Sequence, residues 1–497
     1  MNPSAPTTAP RPTWPTLRAL RDPKTLRTEV LAGLVVALAL IPEAISFSII
    51  AGVAPGVGLF ASFTMAVVIS VVGGRPAMIS AATGAVALVV APLVREHGLG
   101  HLLAAVILGG LVQVALGALG VAGLMRFVPR SVMVGFVNAL AILIFLAQVP
   151  ELVDVPWAVY PLVVGGLVLM VLFPRLSKVV PAPLVSIVAL TAVTVGAGIA
   201  VPTVGDRGEL PSSLPTPGLP DVPFTPETLR VVAPYAVALA LVGLMESLMT
   251  AKLVDDLTDT GSDKRRESIG QGVANVVTGF FGGMGGCAMI GQTMINVKNG
   301  ARTRLSTFLA GAFLMVLCVV FGPVVSQIPM AALVAVMVLV SFATFDWHSI
   351  APATLRRMPA GEIGVMAVTV AVVVATHNLA IGVVVGSVAA LAVFARRVAR
   401  VATVEARSDG ERVVYTVTGE LFFASSNDLA HRFDYAGDPD RVVIDLSAAH
   451  VWDASSVAAL DAVTAKYADR GKTVEITGLN RHSAKLHGTL TGRLSAP

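Results

Sequence analysis

Charge is scarce in this 497-residue chain: Asp, Glu, Lys and Arg together make up 13% of it, where a soluble globular protein carries ~25%. That shortage excludes a protein folded wholly in water. Cysteine is scarcer still. Cys287 and Cys318 are the two, both in apolar surroundings, so no disulfide framework is implied. No P-loop occurs, so ATP is not implied. His97, His101 and His377 stand singly at the ends of apolar runs with no ligand spacing between them, so no metal is called for. Nothing pairs a nucleophile with a base, and an enzyme reading has no support. Neither a cofactor nor nucleic acid is implied, the net charge being only +4.

Hydrophobic residues fill the gap, at 55% and a mean hydropathy of +0.80. Apolar stretches approaching the ~20 residues needed to cross a bilayer recur from Val30 to Phe394. They read as fourteen spans: 29–51, 56–72, 76–93, 99–121, 128–149, 157–173, 180–201, 231–254, 266–281, 287–297, 303–322, 329–345, 361–377 and 380–395. The first 28 residues are Pro-rich and charged, with no pattern of a cleavable signal, and read as a cytoplasmic segment. Positive charge then alternates as the positive-inside rule requires. Arg18, Arg21, Lys24 and Arg27 share one side with Arg75, Arg126, Arg130, Arg175, Lys178, Lys264 to Arg266, Lys298, Arg302, Arg304, Arg356, Arg357, Arg396, Arg397 and Arg400. The opposite side carries Arg95, Arg207 and Arg230. Both termini are expected in the cytoplasm, and the chain in a bacterial-type inner membrane. A Pro-, Gly- and Ser-rich loop, 202–227, divides the spans seven and seven, into a first repeat (29–201) and a second (228–400) of inverted topology.

Two glutamates interrupt the apolar runs in matching contexts. Glu43 lies in Leu40-Ile41-Pro42-Glu43-Ala44-Ile45-Ser46, and Glu246 in Val242-Gly243-Leu244-Met245-Glu246-Ser247-Leu248. Some way after each comes a Gly-Gly pair and then Ala-Met-Ile with a small residue: Gly73-Gly74-Arg75-Pro76-Ala77-Met78-Ile79-Ser80, and Gly282-Gly283 followed by Ala288-Met289-Ile290-Gly291. A carboxylate at bilayer depth costs ~2.5–3.5 kcal/mol or more, so it is normally there to act. Direct coordination of a ligand or cation is one role; carrying a proton is the other, since loss of water favours the neutral carboxyl. A glutamate held neutral to lock helix packing is the bland alternative.

The third and tenth spans are the short ones, and each follows helix-breaking or permissive residues. Irregular backbone at that depth is tolerated only against protein or a water-filled cavity. Half-helices meeting near the midplane would aim free N–H groups and positive dipole ends at an anion. The expected donors are the backbones of Met78, Ile79, Ser80 and Ala81, and of Ala288, Met289, Ile290 and Gly291. Gln292, Asn138, Thr83, Thr293 and Asn296 are weaker candidates, equally suited to bonding between helices. Glycine clusters also serve close helix packing; two in repeat-related places favour a site.

After residue 401 the composition changes. Arg412 to Thr418 alternates as a strand that Gly419 to Ala424 continues, Asn427 to Phe433 reads as a helix, Arg441 to Leu446 as a buried strand, Ser455 to Tyr467 as a helix, Thr473 to Thr477 as a strand and Arg481 to Leu486 as a last helix. That is a small α/β domain, 401–497.

These residues resemble the sulfate permease (SulP) family of anion transporters, over nearly the whole chain. The run Leu40 to Gly52 with Pro55, Gly58 and Leu59 looks like the family signature, and Ile295-Asn296-Val297-Lys298-Asn299-Gly300-Ala301-Arg302-Thr303 like the end of its tenth helix. Gly419 to Ala424, Val443 to Ser447 and Asp453-Ala454-Ser455-Ser456 are similar to the family's STAS domain. The resemblance implies a polytopic α-helical fold of 14 spans as a 7+7 inverted repeat, with a core (spans 1–4 and 8–11), a gate (5–7 and 12–14), a cytoplasmic STAS domain and a homodimer. It implies an anion held between the third and tenth half-helices, and a regulatory phosphosite at Ser455. Three departures bear on mechanism. Many members have glutamine at Glu43, and a carboxylate there favours proton coupling. Many have Ser-Arg where this chain has Gly291-Gln292, so a fixed positive charge is missing. Ser456 replaces the usual glycine after the phosphosite. The expectation is a proton-coupled symporter of a small inorganic or organic anion (dicarboxylate, bicarbonate or sulfate), with sodium coupling as the alternative and a membrane-anchored STAS signalling protein as a remoter one.

Overall fold

The computed structural model describes residues 22–120, 123, 128–176, 181–399, 403–408, 410–426 and 429–493. Trp14, Arg18, Arg21, Arg126, Lys178, Arg400, Val401 and Asn427, and most of the proposed N-terminal segment, lie outside these. Contacts divide the chain between Gly386 and Ser387, and each part is described by itself.

Helix α1 (Pro23–Ala51) starts where Asp22 accepts the N–H groups of Lys24 and Thr25, with Pro23 at its first position, and ends at Gly52 in the left-handed conformation. Helix α2 (Pro55–Val72) follows at once. A two-residue strand β1 (Ser80–Ala81) precedes α3 (Gly84–Ala118), whose helical geometry is broken at Gly98, φ 78°, ψ −174°. Gly98 therefore separates two helical segments that the hydropathy also separates. Next come α4 (Arg130–Leu146), α5 (Val159–Leu172), α6 (Ala182–Gly196), α7 (Pro226–Thr258) and α8 (Lys264–Phe280). A second two-residue strand, β2 (Cys287–Ala288), precedes the nine-residue α9 (Ile290–Lys298). Then follow α10 (Arg304–Val325), α11 (Met330–Thr344), the short α12 (Pro352–Arg357), α13 (Ala360–Thr376) and α14 (Leu379–Ala399). Seven of the described helices are long and apolar enough to cross a membrane, and α5, α6, α11 and α13 are shorter apolar helices.

Two packed groups result. In one, α1 lies against α2, α3, α9 and α10, and α3 lies against α7 and α8. In the other, α11 lies against α4, α5 and α6, and α13 against α4. The groups meet where α11 and α6 touch α1 and where α3 touches α4. The sequence treated the third and tenth spans as helical from their first residues; both begin instead as strands, because the two segments satisfy one another's backbone by pairing.

The C-terminal part carries a four-stranded sheet in the order β3 (Thr403–Ser408), β4 (Arg412–Leu421), β5 (Arg441–Val451), β6 (Thr473–Thr477). β3 is antiparallel to β4, and the other two pairings are parallel. Helix α16 (Ala454–Ala468) supplies the crossover from β5 to β6, and α17 (Arg481–Leu490) follows the last strand. The β4 strand stops at Leu421 rather than Ala424: Phe423–Ser426 forms the helical turn α15, where Ser425 Oγ–H bonds the Glu420 carbonyl at 2.8 Å and bends the chain away. The helix expected to Phe433 is a 3-10 turn at Leu429–His431. Strand β3 and the second half of β5 escaped the pattern reading, since β3 is an edge strand with mostly exposed side chains. At the start of α16, Ser455 is exposed and Ser456 is buried. Asp453 accepts both the Ser456 N–H, at 3.0 Å, and its hydroxyl, at 2.8 Å.

Candidate functional site: a cavity between two half-helices

Strands β1 and β2 pair antiparallel, Ser80 opposite Ala288 and Ala81 opposite Cys287. Segments more than two hundred residues apart thus meet end to end. Glycine makes the approach possible: a Cβ on Gly286 would fall 2.0 Å from the Ala81 carbonyl oxygen. Gly285 beside it has φ +77°, which L side chains rarely adopt.

This pairing sets the local structure of the expected donors. Ser80 and Ala81 are strand and Met78 and Ile79 lead into it, ahead of any helical turn, and several polar groups of the segment are engaged. The Ile79 N–H donates to Thr293 Oγ1 at 3.0 Å. The carbonyls of Ala77, Met78 and Ile79 accept from Asn296 Nδ2 at 2.9 Å, Thr307 Oγ1 at 3.1 Å and the Met289 N–H at 2.9 Å. The Ala288 N–H donates to Ser247 Oγ at 3.1 Å. Extended backbone this deep cannot leave N–H groups unpaired. The half-helices begin a few residues later, α3 at Gly84 and α9 at Ile290. Thr83 caps Val86 at 3.3 Å, whereas Met289 gives α9 no side-chain cap. The first N–H groups of a helix have no intrahelical partner; Gly84 begins α3, and Ile290 and Gly291, both among the expected donors, begin α9.

A cavity of about 330 Å³ opens at these two helix starts. Glu43 and Phe47 of α1 line it, with Thr83 and Gly84 before and at α3, Glu246 and Met249 of α7, and Met289, Ile290 and Gly291 at α9. The opposite wall is Phe136 to Ile144 of α4 and Val340 to Thr344 of α11. A Cβ on Gly291 would meet nothing within 4 Å, so this glycine faces the open space. Of the residues picked from sequence, Glu43, Glu246, Met289, Ile290 and Gly291 line the cavity. Met78, Ile79, Ser80, Ala81, Ala288 and Gln292 are buried behind it. Gln292 nevertheless reaches the Glu43 carboxyl with its side chain. The weaker candidates separate too: Thr293 and Asn296 hold the strand segment, and Asn138 Nδ2 donates to Ser349 Oγ at 2.9 Å, away from the cavity.

Several residues around the site were not candidates from the sequence. Cys287 Sγ–H donates to Glu246 Oε2 at 2.9 Å and lies 3.1 Å from Thr83 Oγ1, joining the second carboxylate to the cap of the first half-helix. Glu267, fully buried on α8, accepts the N–H groups of Gly74 at 2.7 Å and Arg75 at 2.9 Å through one oxygen. Its other oxygen takes Gln271 Nε2 at 2.8 Å, and that nitrogen also donates to Ser80 Oγ at 2.7 Å. Glu29, buried near the start of α1, accepts the N–H groups of Arg302 at 2.7 Å, Thr303 at 3.0 Å and Ser306 at 3.0 Å, and so caps α10 from the other half of the chain. Cys287 stood in apolar surroundings, but Glu29 and Glu267 follow basic residues and carried no such signal.

The arginines near these loops hold helix ends. Arg75 donates to the Val254 and Thr260 carbonyls and lies 3.1 Å from Asp255; Arg266 reaches Val71 and Val72; Arg302 reaches Val297 and Ala301; Arg304 reaches Ser70 and Gly73. Cations at C-terminal carbonyls complement the helix dipole. No arginine or lysine lines the cavity at the half-helices.

A membrane transporter of two packed helical groups, with a site at opposed half-helices and a separate α/β domain, is the class this architecture defines. The Sulfate permease family profile matches residues 26–160 and 155–369, and the STAS domain profile residues 403–489. The chain belongs to the sulfate permease family and carries a C-terminal STAS domain. It is 54% identical over 461 residues to the putative sulfate transporter YbaR of Bacillus subtilis (strain 168), covering 93% of this chain and 96% of that protein. It is 24% identical over 516 residues to the bicarbonate transporter BicA of Picosynechococcus sp., covering 92% and 89%. Among solved structures, the fold is shared with the murine anion transporter Slc26a9, with a TM-score of 0.81 at 17% identity, covering 96% of this chain and 89% of that one.

Proposed function

We propose that this protein is a secondary active transporter of a small anion, driven by protons and working by alternating access in the cell inner membrane. The observation that carries the reading is a single cavity shared by two carboxylates, Glu43 and Glu246, and by the starts of two half-helices, α3 and α9. Helix N-termini supply donors and dipole for an anion. Two carboxylates beside them repel an anion unless a proton or another cation accompanies it, so the cavity's own charge calls for symport. Glu43, beside the Gln292 side chain, lines the open space, and Glu246 is tied into the core through Cys287. On this reading the anion contacts Glu43, Glu246, Met289, Ile290 and Gly291, while Met78 to Ala81, Ala288 and Gln292 shape the site from behind, and no chemistry is performed on the cargo. Dicarboxylate, bicarbonate and sulfate are the anions to test; relatives carry the names of sulfate and bicarbonate transporters.

The same reading takes 29–400 as fourteen spans in two inverted repeats about the loop 202–227, after a cytoplasmic segment 1–28. The group around α1, α3, α7 and α9 moves as a body against the group around α4 and α11. Residues 401–497 form the cytoplasmic STAS domain, regulated at the exposed Ser455, and two copies make a homodimer. The experiment is uptake of labelled anions into proteoliposomes, with a pH gradient and a sodium gradient imposed separately. Concentrative uptake under the pH gradient is expected. Uptake driven only by sodium replaces the coupling ion, and no uptake of any anion removes the transport reading in favour of a membrane-anchored STAS signalling protein.

A further inference from the structure

Three of the helices that wall the half-helix cavity, α1, α3 and α11, also line a second cavity of about 360 Å³, together with the segment that follows α4. On α1 the lining passes from Glu43 and Phe47 to Ile49 and Ile50. On α3 it passes from Gly84 to Leu88, Pro92 and Arg95. It passes from Ile144 of α4 to Gln148 just beyond that helix, and on α11 from Val340 back to Leu333 and Met330. His377, at the end of α13, closes the rim.

The two cavities differ in charge. The first carries two carboxylates and no basic side chain. The second carries Arg95, which has no hydrogen-bond acceptor or acidic partner among the described residues and is exposed to the cavity mouth. The one carboxylate in this lining, Glu151, is paired with Arg207. Arg75, Arg266, Arg302 and Arg304 are all engaged by helix ends, as described above. Arg95 is uncommitted and exposed in the lining of the second cavity.

We propose that Arg95, with Gln148 and His377 beside it, forms a vestibular capture site for the transported anion, a site distinct from the one between the half-helices. The inference rests on the transport reading above. The work is divided: a guanidinium at the mouth raises the local concentration of a small oxyanion or carboxylate, and the inner cavity, lacking any fixed cation, accepts it with its coupling proton. A permanent cation inside the inner cavity would bind the anion through the whole cycle and oppose release; placed in the vestibule it assists entry alone. Lys can supply the charge but not the planar fork that engages two oxygens at once.

The test is initial-rate uptake of bicarbonate and of sulfate by wild type, Arg95→Gln and Arg95→Lys in oriented proteoliposomes at low and high ionic strength. The Gln variant is expected to raise KM roughly three- to ten-fold at low salt from the face bearing Arg95, with the difference shrinking as salt screens the charge and Vmax unchanged. Lys restores most of the loss, and uptake from the opposite face keeps its KM. An unchanged KM at low salt, or an equal change from both faces, overturns the proposal. If the wild type carries neither anion, the transport reading fails separately, and calorimetric titration of the same two anions into purified protein decides the vestibule. A binding component lost in Arg95→Gln supports it; identical isotherms, or no binding to the wild type, overturn it.

Discussion

The thiol of Cys287 donates to the carboxylate of Glu246, with Sγ 2.9 Å from Oε2, and the same sulfur lies 3.1 Å from Thr83 Oγ1. Thr83 in turn accepts the Val86 N–H. One line of hydrogen bonds therefore runs from the start of α3 through β2 to α7, and it ends on a carboxylate, the only group in it that cannot donate when ionised. Glu246 is placed by this line as much as by its own helix. Glu246→Gln is expected to abolish concentrative uptake while the protein still inserts and elutes as wild type. Cys287→Ser, which keeps the donor, should leave most activity. Cys287→Val, which orphans the carboxylate, should lower it about as far as other lost bonds to buried charged groups, ~1.5–3 kcal/mol. Uptake kinetics on the three variants check the order.

Glu43 occupies the matching place in the first half but has a different neighbour, the Gln292 side chain, and it borders the open cavity. Glu43→Gln should weaken the dependence of uptake on the pH gradient while leaving anion exchange measurable. Counterflow of labelled anion with and without an imposed gradient reads this directly. Proton-driven uptake that stays at the wild-type level in both Glu43→Gln and Glu246→Gln contradicts the coupling assignment.

Gly291 and Gly286 give a paired steric test. Gly291 faces empty space, so Gly291→Leu folds normally and fills the cavity, raising the apparent KM by at least about tenfold, or ~1.4 kcal/mol. Gly286→Ala puts a methyl 2.0 Å from the Ala81 carbonyl and must part the two strands. That variant should lose stability as well as transport. Thermal unfolding of both variants beside uptake distinguishes a blocked site from a broken one.

The two carboxylates at the site were legible because an ionisable residue in an apolar run is conspicuous, and because Gly-Gly and Ala-Met-Ile recur after each. The helices followed from the same hydropathy. What the sequence could not show was that Ser80 would sit opposite Ala288. Strand pairing between segments so far apart leaves no local period, and two residues are too few to alternate. Met78 to Ala81 therefore precede a helix start rather than form one, while Ile290 and Gly291 begin α9. Glu267 and Glu29 were invisible for another: each lies in the first turns of its helix near charged residues, where a solvent-facing side chain is the default, and only the fold turns them inward onto the loops of the other half. The arginines looked like orientation signals and prove also to be caps of helix ends.

Glu267 makes that cross-half bracing testable. It satisfies the Gly74 and Arg75 N–H groups and Gln271, all in buried surroundings. Glu267→Leu leaves those donors without partners and should cost about 1–3 kcal/mol for each group orphaned, seen as a clear drop in melting temperature. Gln271→Ala, which breaks only the bond to Ser80 and one to Glu267, should cost less. A Glu267→Leu protein as stable as wild type shows that the loop before β1 is held by something else.

In the C-terminal domain, Tyr415 donates to Asp438 Oδ2 at 2.8 Å, and Tyr467 donates to the same oxygen. Burial pushes the Tyr467 phenol up from its usual value near 10, and the bond to the Asp438 carboxylate pushes it further. Burial raises Tyr415 likewise. A group whose folded pKa is raised adds stability that is complete below the unfolded pKa and lost as pH rises past it. The domain should therefore hold its stability through neutral pH and lose it above about pH 10, where the unfolded phenols ionise and the folded ones resist. Tyr467→Phe should flatten that alkaline loss. Melting of the full chain between pH 8 and 11, followed by a probe in the C-terminal domain, tests the sign.

Transport and regulation should separate at the end of α14. The helix runs to Ala399, and the STAS match begins at residue 403, so a cut before Val401 leaves every described membrane helix whole. None of Glu43, Glu246, Gly291, the loops that Glu29 and Glu267 brace, or the Arg95 vestibule lies beyond that cut. The C-terminal part instead has a core of its own, with Tyr415, Val417, Ile444, Leu446, Leu460 and Tyr467 buried together. Removing Val401 to Pro497 should therefore leave anion preference and proton dependence unchanged while lowering rate or expression. The check is the same anion panel run on the deletion protein, with the KM for each anion compared as a ratio to wild type. Equal ratios are expected. A deletion protein that reaches the membrane and changes its order of preference among dicarboxylate, bicarbonate and sulfate shows that residues past 401 reach the pathway.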